Sequence, residues 1–386
     1  MNINWQAIDL VMFDMDGTLL DLAFDNLFWQ QAVPQAWAAL HQHPFDHALE
    51  LLKPQFKAQE GTLNWYSLPY WSNALNLDLT TLKIQYQDHI CLRPDALQLL
   101  HDLKMANQSI QLLVELVKNV NHLLCEFYQD YQQNQVLQIS NKADKSPVTE
   151  ADMAAHHLIE QGLKKINPLI PVLSEESSDY KLRFDWHEFW LVDPLDGTRE
   201  FINKTGEFTV NIALIHHGVV QLAIIGIPTL KRMYLTRKNQ PLYRIDEAGD
   251  SLLWQKIQPK PDNLNSWQIA ISRRSEWKVY QQFKQVLHDR QQTFDCKNAG
   301  SAYKFCLMLE GEIDVYPRFH PTSEWDTAAG QGLLEAIGGG VYDLQGRPFA
   351  YNQRHDLLNG HFMAVRQNDF LPSALQVAHE TLKALT

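Results

Sequence analysis

The chain has 386 residues, of which 45% are hydrophobic and 20% charged, and its formal net charge is −12. This length accommodates two or three domains, and the composition is that of a globular protein. The negative charge argues against electrostatic binding to nucleic acid or to an anionic membrane, although a bound metal ion can still attract a small anionic substrate. The four cysteines have no paired spacing, which argues against a disulfide framework or a zinc site and favours a reducing compartment.

The first residues contain no basic segment that leads into an apolar stretch, so we expect no signal peptide. The sequence also lacks a run of about 18 apolar residues of the kind that forms a transmembrane helix. We therefore expect a cytoplasmic protein. The sequence leaves open a peripheral association with the inner membrane.

The first part of the chain, residues 1–104, is expected to be mainly helical after a single strand. One helix is predicted over residues 27–40, interrupted by Pro34. Another is predicted over residues 47–53 and should end before Pro54, because proline disfavours the helical conformation of the preceding residue. The aromatic residues at positions 65, 66, 70 and 71 are expected to pack among these helices rather than to form a ligand cage.

A new pattern begins near Met105 and continues through residues 105–386. Apolar positions at helical spacing predict a helix over 110–128, and Thr149 is expected to cap a second helix over 150–166. A hairpin turn is expected at His217-Gly218. Strands are predicted over residues 189–192, 208–216, 219–227, 232–236, 313–317 and 341–343, and further helices over residues 272–289, 300–309 and 326–337.

The most informative feature is an apolar strand that ends in two carboxylates, Trp190-Leu191-Val192-Asp193-Pro194-Leu195-Asp196-Gly197-Thr198. Ser174-Glu175-Glu176-Ser177 lies upstream, and Trp325-Asp326-Thr327-Ala328-Ala329-Gly330 lies far downstream. Together these motifs supply hard oxygen ligands that can hold more than one Mg²⁺. Carboxylate-held Mg²⁺ pairs are a common means of displacing a phosphoryl group with water.

Each candidate ligand has a place in such a site. Asp193 can bridge two ions, and Asp196 supplies a second carboxylate. Glu175 would complete the shell of the first ion, and Asp326 that of the second. The turn at Pro194 should point the carbonyl of Leu195 into the same site.

The remaining requirements of a phosphomonoesterase also have candidates. Gly197 and Thr198 open the next helix, so their amides can face a phosphate group. The Thr198 hydroxyl and Asp152 are candidates to activate the attacking water. Taken singly, each motif is more often a turn, a solvated surface pair or a helix start. Their joint occurrence in this order favours the metal site.

The larger part of the chain, over residues 106–386, resembles the inositol monophosphatase superfamily, and the three acidic motifs carry the resemblance. Within the superfamily it is most similar to the CysQ-type 3′(2′),5′-bisphosphate nucleotidases. Four stretches support this narrower resemblance: KADKSPVTEAD at 142–152, GEFTVNIAL at 206–214, GSAYKFC at 300–306 and YPRF at 316–319.

The resemblance implies a layered αβαβα sandwich of the α/β class, dependence on two or three Mg²⁺ ions and sensitivity to lithium. It implies a phosphoric monoester hydrolase that removes the 3′-phosphate of adenosine 3′,5′-bisphosphate (PAP), a small-molecule substrate, to give AMP and phosphate. Because PAP remains when activated sulfate is reduced, such an enzyme serves sulfur assimilation.

The resemblance also assigns roles by position. The implied metal ligands are Glu175, Asp193, the Leu195 carbonyl, Asp196 and Asp326. Asp152 and Thr198 would form the water-activating pair. The resemblance also implies contacts with the substrate. They are made by four of the metal ligands and by five further residues: Glu175, Leu195, Asp196, Asp326, Gly197, Thr198, Ser301, Lys304 and Arg318.

The charges of Lys304 and Arg318 suit a bisphosphate substrate even apart from the resemblance. The metal ions would neutralise one phosphate group, and a cationic side chain should bind the other. On the sequence alone, however, solvation at the surface is the favoured interpretation of both.

One departure from the family is visible. The family often has a histidine shortly after the strand that ends near Ser272, and Ser272-Arg273-Arg274-Ser275 has none. Arg274 is a candidate to compensate.

The first part of the chain contains a different motif. A predicted strand over residues 8–13 ends at Asp14-Met15-Asp16-Gly17-Thr18, which resembles the first motif of haloacid dehalogenase-like (HAD) phosphatases. The stretch that follows, residues 19–26, resembles HAD nucleotidases with a helical cap. In that family Asp14 would be the nucleophile and Asp16 the general acid/base. The later motifs of the family are missing before Lys104. We therefore expect residues 1–104 to be a truncated HAD-like segment without phosphatase activity.

Several alternatives remain at this point. Met105 stands at the junction, so two neighbouring reading frames could have fused, and translation could also start at Met105. The larger domain could instead hydrolyse inositol monophosphate or fructose 1,6-bisphosphate. The activity could reside in a HAD nucleotidase that works from Asp14. The chain could also be a catalytically silent sensor that binds PAP or metal.

Overall fold

The computed structural model describes residues 20–93, 96–134, 139–141, 147–177, 182–271 and 277–385. The described chain divides into two compact units, one up to residue 108 and one from residue 109 onward. The division falls inside a single long helix, Ala96–Asn134. Among the described helices, none combines the length with the apolar character of a membrane span.

The described part of the first unit is helical, as predicted. Its helices before the shared one are α1 (Ala23–Leu27), α2 (Val33–His41), α3 (Phe45–Gln59), α4 (Leu68–Leu75) and α5 (Leu79–Gln85), with 3₁₀ turns at Leu63–Tyr66 and Gln87–His89. A π-helical turn, Phe28–Ala32, precedes α2. The predicted interruption at Pro34 takes this form, because proline has no N–H to continue the regular ladder.

Two expectations for this unit are corrected. Pro54 lies inside α3, so the prediction that this helix ends before Pro54 is wrong. The helix buries Ala48 and Leu52 on one face, and this packing outweighs the local cost of the proline. Trp71 is buried as expected, but Tyr66 is 79% exposed and does not belong to the core. The predicted strand over 8–13 and the Asp14–Thr18 motif lie outside the described residues.

The described part of the second unit combines helices with two large sheets and two short strand pairs. The helices are α6 (Ala96–Asn134), α7 (Glu150–Ile166), α8 (Thr198–Ile202), α9 (Lys278–Asp289), α10 (Tyr303–Leu309), α11 (Ala328–Glu335) and α12 (Leu371–Lys383), with 3₁₀ turns at Arg183–Asp185, Pro228–Leu230, Glu324–Asp326 and Asn368–Phe370. The strands are β1 (Ile139–Asn141), β2 (Pro147–Thr149), β3 (Val172–Ser174), β4 (Glu188–Asp196), β5 (Thr209–His216), β6 (Val219–Ile227), β7 (Arg232–Arg237), β8 (Tyr243–Ala248), β9 (Ser251–Lys256), β10 (Ser266–Ile271), β11 (Thr293–Asn298), β12 (Val315–Arg318), β13 (Thr322–Ser323), β14 (Gly340–Asp343), β15 (Leu358–Asn359) and β16 (Phe362–Val365).

Among the described strands, the larger sheet has the order β3-β4-β5-β6-β7-β8-β9. Its first pair, β3 and β4, is parallel, and the pairs that follow are antiparallel. The smaller sheet has the order β11-β10-β12-β16-β14. Short antiparallel pairs join β1 to β2 and β13 to β15.

The alternation of side chains along the strands sorts the core into layers. On β4, Val192 packs with α6 and α7, whereas its neighbour Leu191 packs with α10 and α11. On β16, Phe362 joins the same central layer, whereas Met363 packs with α9 and α12. Because successive strand residues face opposite sides, each sheet is covered on both faces. The layers therefore follow the order α, β, α, β, α.

Most predicted elements of this unit are found with longer or shifted ends. The helix predicted over 110–128 lies within α6, and α7 covers residues 150–166 with Thr149 as its cap. His217 and Gly218 both have positive φ in the turn between β5 and β6, as the predicted hairpin requires. The helix predicted from residue 326 begins at Ala328, after a 3₁₀ turn. Residues 272–276 lie outside the described ranges.

Candidate active site

Three carboxylates from distant parts of the sequence meet at one end of the larger sheet. Parallel pairing sets Ser174 opposite Val192, so the next residues, Glu175 and Asp193, lie side by side. The N–H of Glu175 donates to the carbonyl of Val192 at 3.0 Å. The 3₁₀ turn before α11 brings Asp326 to the same place. Oxygen atoms of Glu175, Asp193 and Asp326 lie within 4.8 Å of one another.

An irregularity in β4 shapes the turn that follows Asp193. The register of β4 against β5 shifts between Asp193 and Asp196, which is the mark of a β-bulge. The N–H of Leu195 donates to Oδ1 of Asp193 at 3.1 Å. The Thr198 hydroxyl oxygen lies 3.4 Å from the carbonyl oxygen of Leu195. The bulge therefore turns both Leu195 and Thr198 toward the cavity that Asp193 lines.

Asp196 lines the same cavity but is already partly engaged. Its Oδ2 atom accepts hydrogen bonds from the backbone N–H of Ala302 at 2.6 Å and from Asn211 Nδ2 at 3.2 Å. Burial raises the pKa of Asp196 to about 6, against the opposing effect of the Lys304 charge. These contacts tie the end of β4 to the start of α10.

The pKa of Asp326 shows how crowded the acidic end is. Burial, together with the charges of Asp196 and Glu175, raises the pKa of Asp326 to about 8. The Asp326 Oδ2 atom accepts the N–H of Ser323 at 3.0 Å, which fixes the carboxyl group in its turn. Carboxylates this close repel one another, and a bound cation would offset that repulsion. The donor set is therefore suited to a divalent cation with a preference for oxygen ligands.

Asp152 and Thr198 form a directed hydrogen-bond chain. Oδ2 of Asp152 accepts from the backbone N–H of Thr149 at 2.7 Å and from its hydroxyl at 2.5 Å. The other carboxylate oxygen, Oδ1, accepts from the Thr198 hydroxyl at 3.0 Å. Burial is the main cause that raises the pKa of Asp152. The hydroxyl proton of Thr198 thus points at Asp152, which leaves its oxygen lone pairs toward the cavity.

Gly197 adopts a conformation that most residues disfavour. Its φ is +96°, and an added Cβ atom would lie 3.0 Å from the Cβ atom of Ser301 and 3.2 Å from the Glu207 carbonyl oxygen. Glycine is thus needed both for the left-handed backbone and for the close approach of the loop before α10. The amides that follow it begin α8, which is a single short helix of five residues.

Lys304 and Arg318 line the same cavity and form its basic end; Lys304 is buried and Arg318 is half-buried. Their charges act on the neighbouring carboxyl groups of Asp196 and Asp326. Lys304 is only 3% exposed, so the interpretation as a solvated surface residue is wrong. Its Nζ atom donates to the Ala299 carbonyl at 3.3 Å and lies 5.0 Å from the Tyr316 ring centroid. Arg318 donates from Nη1 to the Tyr316 hydroxyl at 3.1 Å. Burial, reinforced by the Arg318 charge, lowers the pKa of Lys304 to about 8.

Ser301 lines the cavity, but its hydroxyl is used within the protein. The Ser301 Oγ atom donates to the Glu207 carbonyl at 2.8 Å and accepts the N–H of Tyr303 at 3.1 Å. Its φ of 41° is in the left-handed region. The contacts show a residue that shapes the start of α10, so a contact with substrate needs this hydroxyl to change partner.

The acidic and basic ends belong to one cavity of about 610 Å³. Sequence reasoning missed several residues that line it, including Glu200, Asn203 and His320. Glu200 and Asn203 come from the body and end of α8, where no motif marks them. His320 follows directly after the stretch Tyr316-Pro317-Arg318-Phe319, so extending that motif by one residue would have found it.

The chain is similar to proteins of a known family. The model of the inositol monophosphatase family matches residues 105–379. The 3′(2′),5′-bisphosphate nucleotidase CysQ of Escherichia coli K12 is 41% identical over 249 residues, which are 64% of this chain and 96% of that protein. The CysQ nucleotidase of Haemophilus influenzae is 34% identical over 251 residues, which are 63% of this chain and 88% of that protein.

Solved structures show the same similarity. The crystal structure of CysQ from Bacteroides thetaiotaomicron, a bacterial member of the inositol monophosphatase family, superposes with a TM-score of 0.58 at 32% identity. The match covers 68% of this chain and 98% of that chain. An inositol monophosphatase from Thermotoga maritima has a TM-score of 0.57 at 20% identity, covering 72% of this chain and 99% of that chain, and supports the fold alone.

Proposed function

Because the chain belongs to the inositol monophosphatase family, we propose that it is a metal-dependent phosphoric monoester hydrolase that removes the 3′-phosphate of PAP to give AMP and phosphate. One observation carries the proposal: a single cavity is lined both by a carboxylate cluster and by two cations, the buried Lys304 and the half-buried Arg318. A nucleotide with two phosphates matches both ends. The relatives at about 40% identity are named 3′(2′),5′-bisphosphate nucleotidases. Such an enzyme would clear the PAP left by sulfate reduction.

The acidic end would hold the metal. Glu175, Asp193, Asp196 and Asp326 would supply carboxylate ligands, and Leu195 would supply its carbonyl. Bound Mg²⁺ neutralises phosphate charge and lowers the pKa of a water molecule that attacks phosphorus. We infer a site for two or three ions, because Asp193 lies between Glu175 and the turn that leads to Asp196.

Asp152 and Thr198 would position and deprotonate the attacking water. The Thr198 hydroxyl donates to Asp152, so its oxygen can accept a hydrogen bond from the water. As the new P–O bond forms and the bond to the 3′-oxygen breaks, the water proton would pass to the Thr198 oxygen and the hydroxyl proton to Asp152. The departing 3′-oxygen would take a proton from solvent water to give the hydroxyl group of AMP. Burial raises the pKa of Asp152, which makes its carboxylate a stronger base. This complete relay favours turnover over a silent sensor.

Lys304 and Arg318 would bind the second phosphate. Both cations are largely removed from water, so an incoming phosphate gains charge-assisted hydrogen bonds that solvent does not weaken. A monophosphate of inositol has no group for this end of the cavity. The basic pair therefore favours a bisphosphate substrate.

We further infer that residues 105–386 form the nucleotidase domain and that residues 1–104 are an incomplete HAD-like segment without activity. The family match begins at residue 105, and the described residues before it form a small helical core around Phe28, Leu52 and Trp71. The HAD-like motif itself lies outside the described residues. An Asp14→Asn variant should keep full activity, whereas loss of activity would assign catalysis to this segment.

Phosphate release by the full-length chain tests the proposed function. With Mg²⁺ present, PAP should be hydrolysed faster than inositol 1-phosphate or fructose 1,6-bisphosphate, and lithium should inhibit the reaction. Chromatography of the nucleotide product should show AMP, the result of 3′-phosphate removal. A preference for inositol 1-phosphate, or a product that keeps the 3′-phosphate, would refute the proposal.

A further inference from the structure

His320 is a polar residue of the cavity that the mechanism above does not use. It lies between β12 and β13, two residues after Arg318, and lines the same cavity as Lys304. Its Nε2 atom is buried and has no hydrogen-bond partner among the residues that the structure describes. A buried polar atom without a partner is unfavourable in the free protein, so a ligand that supplies the partner gains from it.

The other ring nitrogen determines what His320 can bind. The Nδ1 atom lies 3.4 Å from the carbonyl oxygen of Pro321. Because a carbonyl oxygen can only accept, we assign the proton of the neutral ring to Nδ1. The Nε2 atom is then an acceptor, and its partner must be a hydrogen-bond donor. A phosphate dianion has no proton to offer.

The surroundings keep this ring neutral. Burial is the main cause that lowers the pKa of His320 to about 4. The charges of Arg318, Lys304 and His361 act in the same direction, and the hydrogen bond to Pro321 opposes them. The groups packed around the ring are thus cationic or aromatic. At neutral pH the imidazole adds no charge to the basic end of the cavity.

Two aromatic rings hold the imidazole in place. Its centroid lies 4.6 Å from that of Trp277, with an interplanar angle of 66°, and 6.4 Å from that of Tyr280. Edge-to-face contacts of this kind are favourable and directional. The Nε2 atom is therefore presented in a fixed direction, as expected for a recognition group rather than for a solvated side chain.

We propose that His320 is a specificity-determining residue, which accepts a hydrogen bond at Nε2 from a donor on the nucleoside part of the substrate. The inference rests on the proposed function, since phosphates occupy the two charged ends and the nucleoside lies between them. Two groups of PAP have the required chemistry: the exocyclic amine of adenine and the ribose 2′-hydroxyl.

Substrate analogues and three variants test this role. His320→Phe keeps a ring against Trp277 but removes the acceptor, His320→Gln restores an acceptor, and His320→Ala tests the site if the larger ring prevents folding. His361→Phe is the matched control, because His361 lies near His320 and contacts Phe319 outside the catalytic groups. Each variant is compared by kcat and KM for PAP, inosine 3′,5′-bisphosphate and 2′-deoxyadenosine 3′,5′-bisphosphate.

For His320→Phe we expect KM for PAP to rise about tenfold while kcat changes little, since a lost hydrogen bond to substrate mainly weakens binding. If the donor is the adenine amine, the preference for PAP over the inosine analogue should fall by a similar factor. If it is the 2′-hydroxyl, the preference over the deoxy analogue should fall instead. His320→Gln should recover part of the preference, and His361→Phe should behave as the original protein.

Unchanged preferences in both His320→Phe and His320→Ala would overturn the proposal, as would an equal rise in KM for all three substrates. If the original protein does not hydrolyse PAP, the proposed function fails separately. The role of His320 is then decided by calorimetric binding of AMP, IMP and 2′-deoxy-AMP to the original protein and the variants. In that case, equal affinities across the variants would refute it.

Discussion

The acidic and basic ends of the cavity hold buried and half-buried charges of opposite sign, and the fold produces them in different ways. At the acidic end, parallel pairing of β3 with β4 sets Glu175 beside Asp193, so neighbouring backbones position the carboxylates. At the basic end, Lys304 comes from α10 and is buried in the core, whereas Arg318 comes from β12 and is half-buried. The acidic end is therefore built to need a cation, and the basic end to need an anion.

The largest expected effect comes from the acidic end. Asp193→Asn should lower kcat for PAP by about 10³-fold or more, because one neutral ligand would disturb the shared site of the metal ions. Phosphate release and calorimetric Mg²⁺ binding measure the effect. Glu176→Gln is the matched control, since it neutralises the neighbour of Glu175 in the same motif. Near-normal turnover in Asp193→Asn would contradict the assigned metal site.

The hydrogen-bond relay beside the acidic end should matter nearly as much. Thr198→Ala should lower kcat by about 10²- to 10⁴-fold, the usual range for losing a general-base relay. Mg²⁺ binding should change little, and Thr198→Ser should recover much of the rate because it keeps the hydroxyl. If Thr198→Ser is as inactive as Thr198→Ala, the hydroxyl is not the group that acts on the water.

The basic end should show a different kinetic pattern. Lys304→Ala should raise KM for PAP by about 10- to 100-fold with a smaller change in kcat, since one charge-assisted contact to the second phosphate is lost. The exposed Lys297→Ala is the control. Adenosine 3′-monophosphate lacks the second phosphate, so its KM should hardly respond. An unchanged KM for PAP would remove Lys304 from the substrate site.

The smallest effect concerns pH. Because the pKa of Asp326 is raised to about 8 without metal, this carboxyl group is largely protonated below that pH and must lose its proton to bind a cation. As the pH increases toward 8, the Mg²⁺ affinity should therefore rise about tenfold per pH unit, which is the limit for release of one proton per ion. Calorimetry in buffers of different ionisation enthalpy measures the proton released. Affinity that is constant between pH 6 and 8 would contradict the raised pKa.

The sequence predicted the acidic end better than the basic end, and the reason is physical. Asp193 and Asp196 follow a long apolar strand, so their place at a sheet edge can be read from the local pattern. The burial of Lys304 depends on the packing of α10 against both sheets, which no local pattern records. On the sequence alone, a solvated lysine was therefore favoured.

Other differences have similar causes. The prediction that α3 ends before Pro54 followed a local rule, but the helix continues because its apolar face is buried. His320 escaped notice because a histidine has no fixed meaning in sequence. Its importance lies in an unpaired Nε2 atom and in Trp277, which is far from it in the chain. The layer order was predicted through family resemblance rather than through periodicity.

One measurement tests the central contrast most directly: a crystal structure of the full chain with PAP and Ca²⁺, recorded with anomalous data. Ca²⁺ prefers the same oxygen ligands, so its ions should lie among Glu175, Asp193 and Asp326, with the 3′-phosphate beside them. The 5′-phosphate should contact Lys304 and Arg318. Ions bound away from these carboxylates, or a 5′-phosphate far from the two cations, would contradict the division of the cavity into a metal end and a phosphate end.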